Sequence, residues 1–302
     1  MSDGLGGVVT ALVTPFRPNG EVHGEALRRL ARRQWEAGVT GIAAAASTGE
    51  GATLEPDEHQ EVVRIVAEEA EAREGRAQVL AGVGLSGTDP ACRLARRAES
   101  AGADALLVSA PPYNKPPQRG LRHHFRTVAE STGLPVVLYN VPSRTGVNVT
   151  AETVLDLAAD SRFIGIKEAS GDLGQVSRVL AGRDDDFAVL SGEDVLTLPI
   201  VAMGGDGVVA VVSNEVPGLL VDLVEAALDG RRDRAASLHA DLLPLMEANF
   251  LESNPIPVKW ALSRAGLIDG RLRPPLTPLS EDCHAAMESA LSSVREATGG
   301  EI

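Results

Sequence analysis

One arrangement recurs along this chain: a charged, amphipathic segment ends in glycine, and a short apolar run follows at once. It reads WEAG-VTGIAAAA over 35–46, ESAG-ADALLVSA over 99–110, STG-LPVVLYN over 131–140 and AMGG-DGVVAVV over 202–212. Glycine just past a helix takes the left-handed conformation that ends it. An apolar run of this length then reads as a strand covered on both faces, as in a parallel sheet. Runs of the same kind are VVTALV (8–13), QVLAGV (78–83), FIGIK (163–167) and FAVLS (187–191).

The strands start near residues 8, 41, 78, 105, 135, 163, 187 and 207, each followed by helical text such as 25–38, 57–75 and 91–102. Eight β/α units in this length predict an α/β fold, a closed (β/α)8 TIM barrel. An open doubly wound sheet is the alternative that the same alternation permits. Further helices are expected at 236–250, 258–266 and 281–297, with no Ser/Gly linker before them. The expected division is a barrel over 1–230 and a helical extension over 231–302, packed on it as one continuous unit.

Charge and cysteine content narrow the function. A net charge of −14 argues against nucleic acid or an anionic membrane as partner. Cys92 and Cys283 offer neither a disulfide framework nor metal-type spacing, so a cytoplasmic setting is expected. The N-terminal text lacks the basic start and long apolar segment of a signal peptide, and no apolar run is long enough to span a membrane.

In a barrel, catalytic groups belong at the C-terminal ends of the strands. Those places hold Thr14-Pro15-Phe16, Ser47-Thr48-Gly49-Glu50, Gly84, Pro111-Pro112-Tyr113, Tyr139-Asn140, Lys167-Glu168, Ser191-Gly192 and the Val209 region. Lys167 ends an apolar run. It either reaches to solvent or pairs with Glu168, or it is a buried amine able to attack a carbonyl and form an imine. The protonated imine then acts as electron sink: the adjacent carbon loses a proton, and the enamine attacks a second carbonyl, with no metal or cofactor required. Both tyrosines of the chain, Tyr113 and Tyr139, fall at strand ends. Either could move protons, or simply pack with a satisfied hydroxyl. Arg144, in a Pro/Ser/Gly loop, suits a carboxylate clamp or a bond to loop carbonyls. Ser47 and Thr48 suit a small carboxylate or a proton relay, or a helix cap.

GVGLSG (82–87) matches a dinucleotide fingerprint, but the acidic partner belongs at the end of the next strand, and Asp104 precedes that strand. A compact turn is expected instead, with Thr88 or Asp89 capping the helix. His23, His59, His123, His124, His239 and His284 all lie in helical or helix-start text, and no spacing suggests a metal site.

Taken together, GVVTALVTPF (7–16), STGE (47–50), PPYNKP (111–116), LYNVPSRTG (138–146), GIKEASGD (165–172), GGDGVVAVVSN (204–214) and NPIPVKWA (254–261) resemble the dihydrodipicolinate synthase/N-acetylneuraminate lyase family over essentially the whole chain. YNVPSRTG resembles the synthase branch. The resemblance implies condensation of pyruvate with L-aspartate β-semialdehyde, on the route to lysine and diaminopimelate. It implies an imine on Lys167, proton transfer by Tyr139, a relay completed by Ser47 and Tyr113, and substrate binding by Thr48, Arg144, Gly192 and the carbonyl of Val209. By analogy Tyr113 reaches a neighbouring subunit's site, in a tight dimer paired into a homotetramer. ASTGE stands where the synthases usually read GTTGE, a step towards the lyases. Pro56, Ser86, Pro90 and Pro112 replace the polar or aromatic groups of lysine-inhibited members, although His59 is kept, so weak or absent lysine inhibition is expected. The rival readings are a pyruvate-dependent aldolase or dehydratase for a deoxy-keto sugar acid or sialic acid, a non-catalytic binding barrel, and a nucleotide-dependent oxidoreductase resting on GVGLSG alone.

Overall fold

The computed structural model describes residues 4–72 and 78–298. Among these residues, eight parallel strands close into one barrel in sequence order: β1 Gly7–Ala11, β2 Gly41–Ala44, β3 Gln78–Val83, β4 Ala105–Ser109, β5 Val136–Asn140, β6 Phe163–Glu168, β7 Ala188–Ser191 and β8 Gly207–Ala210. β1 pairs with β2 on one side and β8 on the other, with Val9 opposite both Gly41 and Val209. That closure excludes the open sheet.

The helices are α1 Gly24–Glu36, α2 Pro56–Glu71, α3 Thr88–Ser100, α4 Gln118–Glu130, the single turn α5 Pro142–Thr145, α6 Ala151–Ala158, α7 Leu173–Gly182, α8 Thr197–Ala202, α9 Pro217–Leu228, α10 Arg232–Ala248, α11 Ile256–Arg264 and α12 Glu281–Thr298. The end of the expected 57–75 helix, at 73–75, lies outside the described residues, as do positions 1–3 and 299–302. α10 packs on α9 and α12, and α11 packs on α12 and on residues 212–214 after β8. The C-terminal helices therefore lean over part of the barrel mouth.

Two apolar layers hold the fold. The outer one lies between strands and helices. α1, for instance, buries Leu27, Leu30, Ala31 and Trp35, one face at helical spacing, against that layer. Fully burying a leucine such as Leu30 contributes about 2 kcal/mol. The inner layer fills the barrel with small and branched residues, among them Val9, Ala11, Ala43, Leu80, Leu107, Val137, Leu190 and Val209.

One expected detail is corrected. Neither Thr88 nor Asp89 caps α3. Gly87 occupies the cap position without a side-chain bond, and the Thr88 hydroxyl instead pairs with Nδ1 of His124 at 2.9 Å. The compact turn at GVGLSG is present for a steric reason. A Cβ on Gly82 would lie 2.6 Å from the carbonyl oxygen of Ala45, so only glycine lets this strand end pass the turn after β2.

β6 carries an irregularity in its pairing with β5. Val136 pairs with Phe163 and Val137 with Gly165, so Ile164 is an extra residue in β6. Ile164 packs on the inner layer, whereas Phe163 and Ile166 belong to the outer one. A bulge of one residue resets which face each later side chain occupies. Lys167 consequently points into the barrel mouth and Glu168 away from it.

Candidate active site

The mouth of the barrel holds a cavity of about 470 Å³ lined by Thr48, Tyr139, Arg144, Lys167, Gly192 and Asp194, among others. Lys167 and Tyr139 lie side by side because their Cα atoms pair directly across β5 and β6. The Lys167 Nζ sits 4.5 Å from the centroid of the Tyr139 ring. Lys167 is only 5% exposed, so it does not reach out to solvent. Nor is it tied to Glu168. That carboxylate accepts bonds from Asn140 Nδ2 (3.0 and 3.1 Å), Gln175 Nε2 (3.0 Å) and the Ser170 N–H (2.8 Å), on the far side of the strand. A satisfied buried network of this kind fixes the end of β6 beneath the lysine.

The other expected residues do not all line this cavity. Thr48 and Gly192 line the same cavity as Lys167. Ser47 lines an adjoining cavity of about 230 Å³, with Tyr139 and Arg144 forming the shared wall. Val209 is wholly buried in the barrel interior, and Tyr113 stands outside both cavities at 89% exposure, with φ +73°. Arg144, in α5, is exposed, lines both cavities, and donates from Nη2 to the backbone carbonyl of Asn254 at 3.0 Å.

Two residues of the site carry no distinctive spacing. Asp194, just after β7, is buried in the cavity wall and accepts the N–H groups of Val211 and Val212 at 3.0 and 2.7 Å. Burial pushes its carboxyl up to about 6, against the opposing pull of those N–H groups and of the Lys167 charge. It joins the ends of β7 and β8 and places negative charge near the lysine. Asn254, in the loop before α11, donates from Nδ2 to the Thr48 hydroxyl at 2.9 Å. Only its place in NPIPVKWA, part of the family resemblance, pointed to it. Among the described residues no cluster of His, Cys, Asp or Glu is arranged to hold a metal ion.

A buried amine facing a phenol, in a cavity with one guanidinium at its rim, can do imine chemistry on a keto acid. The sequence profile of the dihydrodipicolinate synthetase family matches residues 4–294. The 4-hydroxy-tetrahydrodipicolinate synthase of Methanothrix thermoacetophila is 46% identical over 97% of this chain and 98% of its own length. A solved dihydrodipicolinate synthase shares 45% identity at a TM-score of 0.92, covering 96% of this chain and 99% of its own. The 4-hydroxy-tetrahydrodipicolinate synthase structure from Methylacidiphilum fumariolicum SolV shares 40% identity at a TM-score of 0.94, covering 98% and 97%. With a family profile matched across nearly its whole length and relatives this similar end to end, the chain belongs to the dihydrodipicolinate synthetase family.

Proposed function

We propose that this enzyme condenses pyruvate with L-aspartate β-semialdehyde through an imine on Lys167, releasing 4-hydroxy-tetrahydrodipicolinate and water. The observation that carries this reading is the buried Lys167 amine, 4.5 Å from the Tyr139 ring in a cavity with Arg144 at its rim. Lys167 Nζ attacks the keto carbon of pyruvate and water leaves. The methyl carbon then gives up a proton, Tyr139 being the group placed to carry it, and the enamine carbon attacks the aldehyde. The amino group of the adduct closes the ring onto the former keto carbon and expels Lys167. Thr48, Gly192 and the Val209 carbonyl hold pyruvate, and Arg144 takes the carboxylate of the semialdehyde in a two-pronged bond.

Tyr113 does not reach this chain's own cavities. Its 89% exposure supports a role in the site of a second copy, where with Ser47 it completes the proton relay. The assembly expected is a homotetramer of tight dimers, working in the cytoplasm on the route to lysine and diaminopimelate. Lysine itself inhibits weakly or not at all: Pro56, Pro90 and Pro112 offer no side-chain donors, and the His59 Nε2 is bound to the Gly82 carbonyl at 2.7 Å. Inhibition at sub-millimolar lysine would contradict that expectation.

Borohydride added with pyruvate tests the mechanism. A mass gain confined to the Lys167 peptide supports it, and no gain overturns it. A panel of aldehydes then identifies the acceptor. The semialdehyde should give the highest kcat/KM, and preference for a sugar aldehyde would refute the assignment.

A further inference from the structure

The turn that carries Ser47 and Thr48 is held from outside the barrel. Its backbone closes through bonds from the Glu50 N–H to the Ser47 carbonyl (3.1 Å) and from the Gly51 N–H to the Ala46 carbonyl (3.0 Å). Glu50 adopts φ +54°, a left-handed conformation that costs a non-glycine residue about 1–2 kcal/mol. Something must hold it there, and its side chain is fully engaged. Oε1 accepts the Lys259 ammonium at 2.6 Å, and Oε2 accepts the Arg273 N–H at 2.9 Å. Lys259 also donates to the Thr14 carbonyl at 2.9 Å. The side chains of Glu50 and Lys259 are both fully buried.

Lys259 belongs to α11 and Arg273 to the segment after it, so the partners come from the far end of the chain. The Arg273 guanidinium extends the grip to the Thr53 carbonyl at 2.8 Å and to Glu58 at 2.5 and 2.6 Å. Asn254, from the same C-terminal region, holds the Thr48 hydroxyl. Stability alone does not account for such a pair. Removing two charges from water costs several kcal/mol per ion, and apolar side chains of similar volume often stabilise as well or better. What apolar side chains cannot supply is direction: two bonds, one to each carboxylate oxygen, that fix the backbone at Glu50.

We propose that the buried Glu50–Lys259 ion pair is a positioning device, through which the C-terminal segment sets the Ser47–Thr48 turn and with it the capture of pyruvate. This rests on the reading that pyruvate forms an imine on Lys167 in the cavity that Thr48 also lines, and the two are tested separately.

The experiment compares Glu50→Gln, Lys259→Met and the double variant on the full-length chain, with folding checked by circular dichroism. The single variants should raise KM for pyruvate about tenfold while kcat stays within about threefold. Each also leaves one buried charge unpaired and lowers the melting temperature. The double variant leaves neither charge, so its melting temperature should recover while its KM stays high. Recovery of both quantities would overturn the proposal, because the pair would then matter only to stability. Unchanged KM in the variants, or a fall in kcat alone, would overturn it too. Where a single variant does not fold, the double variant carries the same test. Absence of a borohydride adduct in the unsubstituted chain would remove the underlying reading. An adduct together with unchanged variant constants would remove only this one.

Discussion

Replacing Gly165 by alanine should slow imine formation at Lys167 about tenfold without unfolding the barrel. Gly165 follows the extra residue in β6, where the strand is pressed against β7. A Cβ there would lie 2.7 Å from the Ala188 carbonyl oxygen and 3.1 Å from the Ala188 Cβ. Carbon–oxygen contacts relax near roughly 3.3 Å, so the two strands must part by about 0.6 Å. The obstacle is backbone and cannot swing aside. Overpacking of this kind costs about 1–3 kcal/mol. In a chain of this size each kcal/mol lowers the melting temperature by about 2–4 °C. Lys167 is two residues further along, paired with Tyr139 on one side and Leu190 on the other. A misplacement of about 1 Å can cost about a hundredfold in rate, so half that shift predicts roughly tenfold. Timed borohydride quenching with mass spectrometry measures the rate, and a thermal melt measures the strain. A lowered melt with an unchanged rate would refute the idea that the bulge aims the lysine. An unchanged melt would refute the steric argument itself.

Arg144→Ala should raise KM for the semialdehyde about 10–100-fold, the value of a lost charge-assisted pair, while borohydride still traps pyruvate on Lys167; loss of trapping would place Arg144 in the first half-reaction. Asn254→Ala removes the bond to the Thr48 hydroxyl but keeps the backbone carbonyl that Arg144 uses. It should therefore raise KM for pyruvate about fivefold and leave the semialdehyde constant alone, and a change in both would show that Arg144 had moved as well. His124 is buried, and desolvation pulls its imidazole down to about 4 from 6.5. The unfolded chain takes up that proton first, so this contribution is fully present above pH 6.5 and is lost as pH falls towards 4, by about 3 kcal/mol. His124→Gln should flatten that part of the pH dependence in urea unfolding between pH 7 and 4.5, and an unchanged profile would refute the assignment.

Local pattern carried much of this protein. The glycine-terminated helices and short apolar runs are signals read over a few residues, because helix and strand periods act over one or two turns. They located all eight strands and hence the mouth positions of Lys167, Tyr139, Thr48 and Gly192. Even the misplaced cap of α3 was a local error: Thr88 has the right chemistry for a cap, but a tertiary partner, His124, takes its hydroxyl.

What the sequence could not decide is anything set by contacts between distant segments. The bulge at Ile164 depends on how β6 fits between its two neighbours, and it alone chooses whether Lys167 or Glu168 faces the cavity. The bonds from Asn254 to Thr48 and from Lys259 to Glu50 join residues 206 and 209 positions apart. No local propensity encodes such pairs, since each residue is an ordinary loop or helix residue until the barrel closes. Composition and period thus determined a barrel with a lysine at its mouth. Packing between strands, and the return of the C-terminal helices over that mouth, decided which way the lysine points and what holds the turn opposite it.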